Sequence, residues 1–143
     1  MSNLLYVEDE ATLRRTSAML LSDVLKGVTI VQAASGAEAL QLATTQFFDA
    51  AILDIGLPDI SGKELLVKLK QQSPRTEVLM LTSSGDVKDV VFCLKHGARD
   101  FIQKPFDIDV LAHTVRELLN VQRLEVENQQ LRSVVVEGQR PGN

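Results

Sequence analysis

The sequence predicts an α/β protein, a parallel sheet doubly wound with helices, and three observations carry that expectation. Five short apolar runs rich in branched residues alternate along the chain with longer segments of helical period. Most of these runs are apolar at consecutive positions instead of every second one, as in strands covered on both faces. The chain has 143 residues, 45% of them hydrophobic. At that length folding buries roughly 68–70% of the unfolded chain's surface, enough for one core without a disulfide or metal.

Taken in order, the runs are Leu4 to Val7, Val28 to Ala33, Ala50 to Leu53, Val78 to Leu81 and the brief Phe101-Ile102. A first helix is expected over Ala11 to Val24, where Leu13, Leu20, Leu21 and Val24 share a stripe. Ser35-Gly36-Ala37-Glu38 opens a second, which carries Ala39, Leu40 and Ala43. Gly62 to Gln71 gives a third with Leu65, Leu66 and Leu69 inward. Asp86 to His96 gives a fourth that ends at Gly97, and Asp107 to Leu119 a fifth beginning after Pro105. Beyond it the apolar positions thin to Val121, Leu124, Leu131 and Val135, with Asn128 where another would fall. That spacing resembles a coiled-coil seam with one polar insertion, but it covers only about two heptads, and a frayed helix end fits nearly as well. Glu137 to Asn143 has linker composition. The expected organisation is therefore one domain over residues 1–120, a helical extension over 121–136 and a flexible tail over 137–143.

Composition excludes several classes of function. Cys93 is the sole cysteine, so neither an intrachain disulfide framework nor a cysteine zinc cluster can form, which fits the cytoplasm. No apolar run approaches the ~20 residues of a membrane span, and no basic stretch precedes the first apolar residues, so membrane insertion and secretion are not expected. With 15 Lys+Arg against 19 Asp+Glu, and no basic stripe, direct nucleic-acid binding by this segment is not expected either. Some polar residues read as structural. His96 suits a helix C-terminus, His113 a solvent face, Cys93 a buried inert thiol, and Tyr6 packing against a helix.

In an open parallel sheet, ligands bind beyond the carboxyl ends of the strands. Here the first run is followed by Glu8-Asp9-Glu10, the third by Asp54, the fourth by Thr82-Ser83-Ser84 and the fifth by Lys104-Pro105. Carboxylates gathered this closely repel and raise one another's pKa unless a cation joins them, which implies a hard divalent ion such as Mg²⁺. With that ion in place a phosphoryl group is the natural guest. Lys104 would neutralise one of its oxygens, the Thr82 hydroxyl would bond another, and Asp54 would be the nucleophile that forms an aspartyl phosphate.

The LLYVEDE opening, AAILDIGLPDISG around Asp54, VLMLTSS and DFIQKPF together resemble the receiver domain of two-component response regulators, from about Asn3 to Asn120. The resemblance implies a flavodoxin-like (βα)5 domain with strand order 2-1-3-4-5. It also implies that Glu8, Asp9, Asp54 and the Gly56 carbonyl hold Mg²⁺, and that Asp54 accepts the phosphoryl group. Thr82 and Lys104 would contact phosphoryl oxygens, and Phe101 would be an aromatic switch, where the residues alone suggest an ordinary core ring. The implied donor is a sensor histidine kinase or phosphotransfer protein, with the receiver catalysing its own phosphorylation and dephosphorylation and not otherwise an enzyme. The resemblance implies a switch through the face of the fourth helix, fifth strand and fifth helix. Pairing of Val121 to Val135 with a second copy would make a regulatory homodimer, and receivers followed by such a helix resemble the N-terminal parts of larger regulators, so a C-terminal output domain is a further expected partner. Glu8 stands where Asp is commoner in the family, Ser83 where Ala is, and Gly56 offers no side chain over the site; Pro58 and Gly62 read as turn chemistry.

Three other readings compete. A Mg²⁺-dependent phosphatase with an aspartate nucleophile would want a second acid two residues on, where Gly56 stands. A flavodoxin-like module for a phosphate-bearing cofactor would want Gly, Ser or Thr after the first strand, where Glu8-Asp9-Glu10 repel phosphate. A receiver-shaped interaction scaffold that signals without phosphate is opposed by the presence of every acceptor-site residue.

Overall fold

The computed structural model describes residues 2–83 and 85–138, with the side chains of 126 and 129–138 outside that description. Strand and helix alternate five times. In chain order the elements are β1 (Ser2–Val7), α1 (Ala11–Val24), β2 (Val28–Ala33), α2 (Gly36–Thr45), β3 (Ala50–Asp54), α3 (Gly62–Gln72), β4 (Glu77–Thr82), α4 (Val87–Lys95), β5 (Ala98–Gln103) and α5 (Ile108–Gly138). The strands form one parallel sheet in the order β2-β1-β3-β4-β5, as expected.

Consecutive apolar residues in the central strands divide between two cores, because successive side chains point to opposite faces. Leu5, Val7, Ala51, Leu53, Val78 and Met80 face Ala39 of α2, Leu65, Leu66 and Leu69 of α3, and Cys93 of α4. Leu4, Tyr6, Ala50, Ile52, Leu79 and Leu81 face Ala18 and Leu21 of α1 and Leu111, Ala112, Val115 and Leu118 of α5. Each full burial of a Leu, Ile or Val contributes about 1.5–3 kcal/mol, whereas a typical surface ion pair contributes about 0–1 kcal/mol. The two apolar layers therefore fix the register, which aligns the carboxyl ends of β1, β3 and β4 along one edge.

α2, α3 and α4 start where polar side chains answer their first N–H groups. Ser35 accepts from Glu38 N, Ser61 from Glu64 N and Asp86 from Lys88 N. Gly97, with φ +106°, follows α4 in the left-handed region that the sequence pattern anticipates. His96 caps that helix, its Nδ1 lying 2.8 Å from the Phe92 carbonyl and its ring stacked on Phe92. Cys93 is buried and His113 exposed, as the sequence suggests. Gly62 has a reason beyond turn chemistry: a Cβ there would fall 2.3 Å from the Asp54 carbonyl oxygen, so only glycine lets α3 begin against the end of β3.

β5 exceeds its sequence expectation, and the helical extension expected after residue 120 is continuous with the fifth helix. β5 runs over six residues instead of two, since its apolar run is broken by Arg99 and Asp100. Val78 pairs with Ala98 but Leu79 with Asp100, so Arg99 is an extra residue in the ladder, a bulge. The Arg99 guanidinium reaches Glu77 on β4 and Glu125 on α5. α5 is one helix of 31 residues. Its continuation past Asn120 is held to the body by the buried Gln122, whose amide donates to the carbonyls of Asp49 and Arg75. Glu137 and Gly138 belong to this helix, and the rest of the anticipated tail, like Ser84, lies outside the described residues. Of the anticipated seam, Leu124 and Asn128 are exposed, and the side chains of Leu131 and Val135 lie outside the description.

Gln122→Ala would leave the Arg75 carbonyl without that amide, so a loss of about 1–3 kcal/mol is expected, read as a lower urea midpoint with an unchanged slope.

Candidate functional site

Register brings the polar strand ends together. Val7 pairs with Leu53 and Asp54 with Leu81, so Glu8 and Asp9 beyond β1, Asp54 at the end of β3 and Thr82 at the end of β4 share one edge. Glu8, Asp54 and Thr82 are buried, while Asp9 is exposed. Carboxylate oxygens of Glu8, Asp9 and Asp54 all lie within 4.8 Å of one another.

Lys104 enters from the loop after β5, its backbone N–H bonded to the Thr82 carbonyl at 2.7 Å and its bond to Pro105 cis. Its Nζ donates to Glu8 Oε1 at 2.5 Å and to Asp54 Oδ2 at 2.7 Å. Burial alone would lower the Lys104 pKa, but bonds to two carboxylates outweigh it and the pKa is raised. Glu8 stands on the opposite side of the same arrangement. Burial pushes its pKa up, and although Lys104 and the Glu10 N–H pull it down, Asp54 adds repulsion and the net direction is upward. One ammonium shared by two carboxylates is itself well satisfied and leaves an acid undercompensated.

Gly56 carries the remaining expected oxygen. Its N–H donates to Asp54 Oδ1 at 3.1 Å, and open space lies where a side chain would stand. Phe101 sits on β5 opposite Met80 with its side chain 40% exposed, so it is not the ordinary core ring its sequence surroundings suggest. Tyr6 is buried between the sheet and α1, close enough to feel the charges of Glu8, Lys104 and Asp54, and burial pushes its pKa up. Beside the site, an apolar cleft is lined by Leu13 of α1 with Ser83, Lys104, Pro105 and Phe106.

The acid cluster fits a hard divalent cation: three oxygen donors converge where a single ammonium neutralises only part of their charge, and the exposed Asp9 side keeps room for water. Every site residue anticipated after β1, β3, β4 and β5 is therefore at this edge except Phe101, which lies further back on β5. Asp59, which sequence reasoning passed over, also belongs to this region. Its carboxylate accepts N–H groups from Gly36 and Ala37 at the start of α2. An acid at a fixed offset after Pro58 signals a turn, and only the fold tells which helix it meets.

Comparison with known proteins agrees with this geometry. The family model for the response regulator receiver domain matches residues 4–116, and the chain belongs to that family, the receivers of two-component signalling. The chain is similar to the C4-dicarboxylate transport transcriptional regulatory protein DctD of Pseudomonas aeruginosa, 36% identical over 95% of the chain and 29% of the relative. It is also 35% identical to the response regulator ArlR of Staphylococcus aureus, over 85% of the chain and 54% of the relative. The chain thus spans about half or less of the length of these curated relatives. Among solved structures, a CheY-like receiver domain protein from Methanospirillum hungatei superposes with a TM-score of 0.82 at 30% identity, over 87% of this chain and 98% of that one. NtrX from Brucella abortus does so at 0.83 and 32%, over 92% of this chain and 30% of that one.

The raised Glu8 pKa sets a direction for stability. The folded state holds the Glu8 proton more tightly than the unfolded chain, whose value is near 4.5. Stability from this group is complete below that pH and is lost as pH rises through the folded pKa. Urea unfolding across this window is expected to reveal that decline in the wild type and a shallower one in Glu8→Gln.

Proposed function

We infer that this receiver takes a phosphoryl group onto Asp54 from a phosphohistidine on a sensor kinase or phosphotransfer protein, with Mg²⁺ as cofactor. The observation that carries the reading is the convergence of Glu8, Asp9 and Asp54 within 4.8 Å around the Lys104 ammonium. Glu8, Asp9, Asp54 and the Gly56 carbonyl would hold the ion, which when bound supplies charge neutralisation and a template for phosphoryl oxygens.

A carboxylate oxygen of Asp54 attacks phosphorus. The new P–O bond forms as the donor's P–N bond breaks, and the electron pair of that bond stays on the imidazole. Lys104, already within bonding distance of Asp54, neutralises a phosphoryl oxygen, and the Thr82 hydroxyl donates to another. Attack by water on the same phosphorus later returns the carboxylate and releases inorganic phosphate. The cleft beside Lys104, with Leu13 on its rim, gives the donor protein an apolar foothold next to the acceptor. Kinase specificity would then lie on α1, around Thr12 to Met19.

The output reading rests on the exposed apolar residues of α4, β5 and α5. Val87, Val91 and Leu94 line one side of α4, and Phe101 on β5 and Val110 on α5 are also exposed. We assign this α4-β5-α5 face to the switch, with Thr82 and Phe101 as its moving parts, controlling a homodimer or an output domain beyond a receiver unit of residues 1–120 and its extension. The cytoplasm is the compartment this reading requires.

Intact mass after incubation with Mg²⁺ and a small phosphodonor is expected to rise by one phosphoryl group in the wild type, and to stay unchanged in Asp54→Asn or with EDTA. Lys104→Met is expected to slow acceptance by on the order of 10²-fold. No gain in the wild type would favour the scaffold reading. For the output face, light scattering is expected to give a heavier species with beryllofluoride than without, and Val91→Asp is expected to abolish the difference. A shortened comparison chain should end after Asn128, because ending at Asn120 removes the polar contacts that Gln122 and Glu125 add to the core packing of α5.

A further inference from the structure

Between Asp54 and α3 the chain makes a loop whose crest is Gly56 and whose far side is tied to a different helix. The loop is fixed at both ends. Ile55 N–H donates to the Leu81 carbonyl at 2.9 Å, Gly62 N–H donates to the Ile55 carbonyl at 2.7 Å, and Gly62 lies directly against the Asp54 backbone. Midway, Asp59 Oδ1 accepts from Gly36 N at 3.0 Å and Oδ2 from Ala37 N at 2.8 Å. Ile60 packs on the same spot, where a Cβ at position 36 would fall 2.5 Å from its Cγ1.

The first three N–H groups of α2 are consequently answered by two residues of different origin. Ser35, the local cap, takes Glu38 N, and Asp59, more than twenty positions away, takes Gly36 N and Ala37 N. Ser35 can stabilise α2 without touching the loop. Asp59 cannot cap α2 without also fixing the loop, because Pro58 restricts the backbone just before it. Gly56 is left as the uncovered crest, its N–H on Asp54 Oδ1 and no neighbour where a side chain would be.

We propose that Asp59 is a positioning residue for the metal site: by clasping the N-terminus of α2 it holds the β3–α3 loop so that the Gly56 carbonyl is presented beside Asp54. This rests on the Mg²⁺ reading above. Asp59 is not among the residues that would hold the ion or the phosphoryl group, and its influence on them would pass through the loop backbone. The helix start favours the carboxylate as well, since those two N–H groups hold the Asp59 pKa below the usual value.

The test is a titration of the full chain with MgCl2, followed by the fluorescence of Tyr6, the only tyrosine, which is buried close to Glu8 and Asp54. Asp59→Ala is expected to weaken Mg²⁺ binding about 10–100-fold, the range found when outer partners of a metal site are removed. Ser35→Ala is expected to leave it unchanged, and Asp59→Asn, which keeps one acceptor oxygen, to fall between wild type and Asp59→Ala. Amide exchange should show faster exchange at Gly36 and Ala37 in Asp59→Ala, with the rest of the sheet still protected. Wild-type affinity in Asp59→Ala overturns the inference. Equal weakening in Ser35→Ala and Asp59→Ala also overturns it, by tracing the effect to α2 itself. A wild-type chain that binds no Mg²⁺ overturns the proposed cofactor along with it, a result distinct from both.

Discussion

The site depends on one ammonium held between two carboxylates. Packing of the sheet delivers Glu8 and Asp54 to adjacent strand ends, both buried, with Asp9 within reach of each. Unscreened, such a group would favour protonation or push the strand ends apart. Lys104 lies 96 positions from Glu8 and 50 from Asp54, and its two short bonds tie the loop after the edge strand β5 to the centre of the sheet. Its hold is incomplete by construction, since an ammonium serves two carboxylates while a third stands in solvent. That remaining negative charge is what the proposed cation would answer, and the same lysine is what the proposed phosphoryl group would meet.

Much of this was legible from the residues. β1 to β4 announce themselves as consecutive apolar runs because both faces of a central parallel strand are covered, and the polar residues that follow each run mark the carboxyl edge. Legibility failed where polar residues do structural work. Arg99 and Asp100 interrupt the apolar run of β5 and hide its full length, yet Arg99 is there as a bulge that meets Glu77. The continuation of α5 is expected as a helical extension over 121–136, but the sequence does not say what holds it, which is the buried amide of Gln122 and the Glu125 carboxylate. Hydrophobic periodicity registers neither. Asp59 was silent for the same reason, its partners being backbone N–H groups brought near only by folding.

Phe101 illustrates a different boundary between sequence and structure. A ring on a short strand next to Ile102 has the composition of core, but the edge position of β5 leaves it half in solvent beside the exposed apolar positions of α4. The contrast with Tyr6, fully buried in the second strand of the sheet, follows from strand order alone.

Gln122 and Arg99 also have a consequence for rotation. They fix α5 to the sheet at Gln122 and Glu125, and the helix then continues as backbone to Gly138. At about 1.5 Å and about 100° per residue, the direction in which its far end faces is set by the number of residues after the clamp. Inserting or deleting one residue there turns the far end by more than a quarter of a circle, while the acid cluster at the strand ends is untouched. Orientation at the far end is thus an angular property written in chain length, separate from the chemistry at the strand ends.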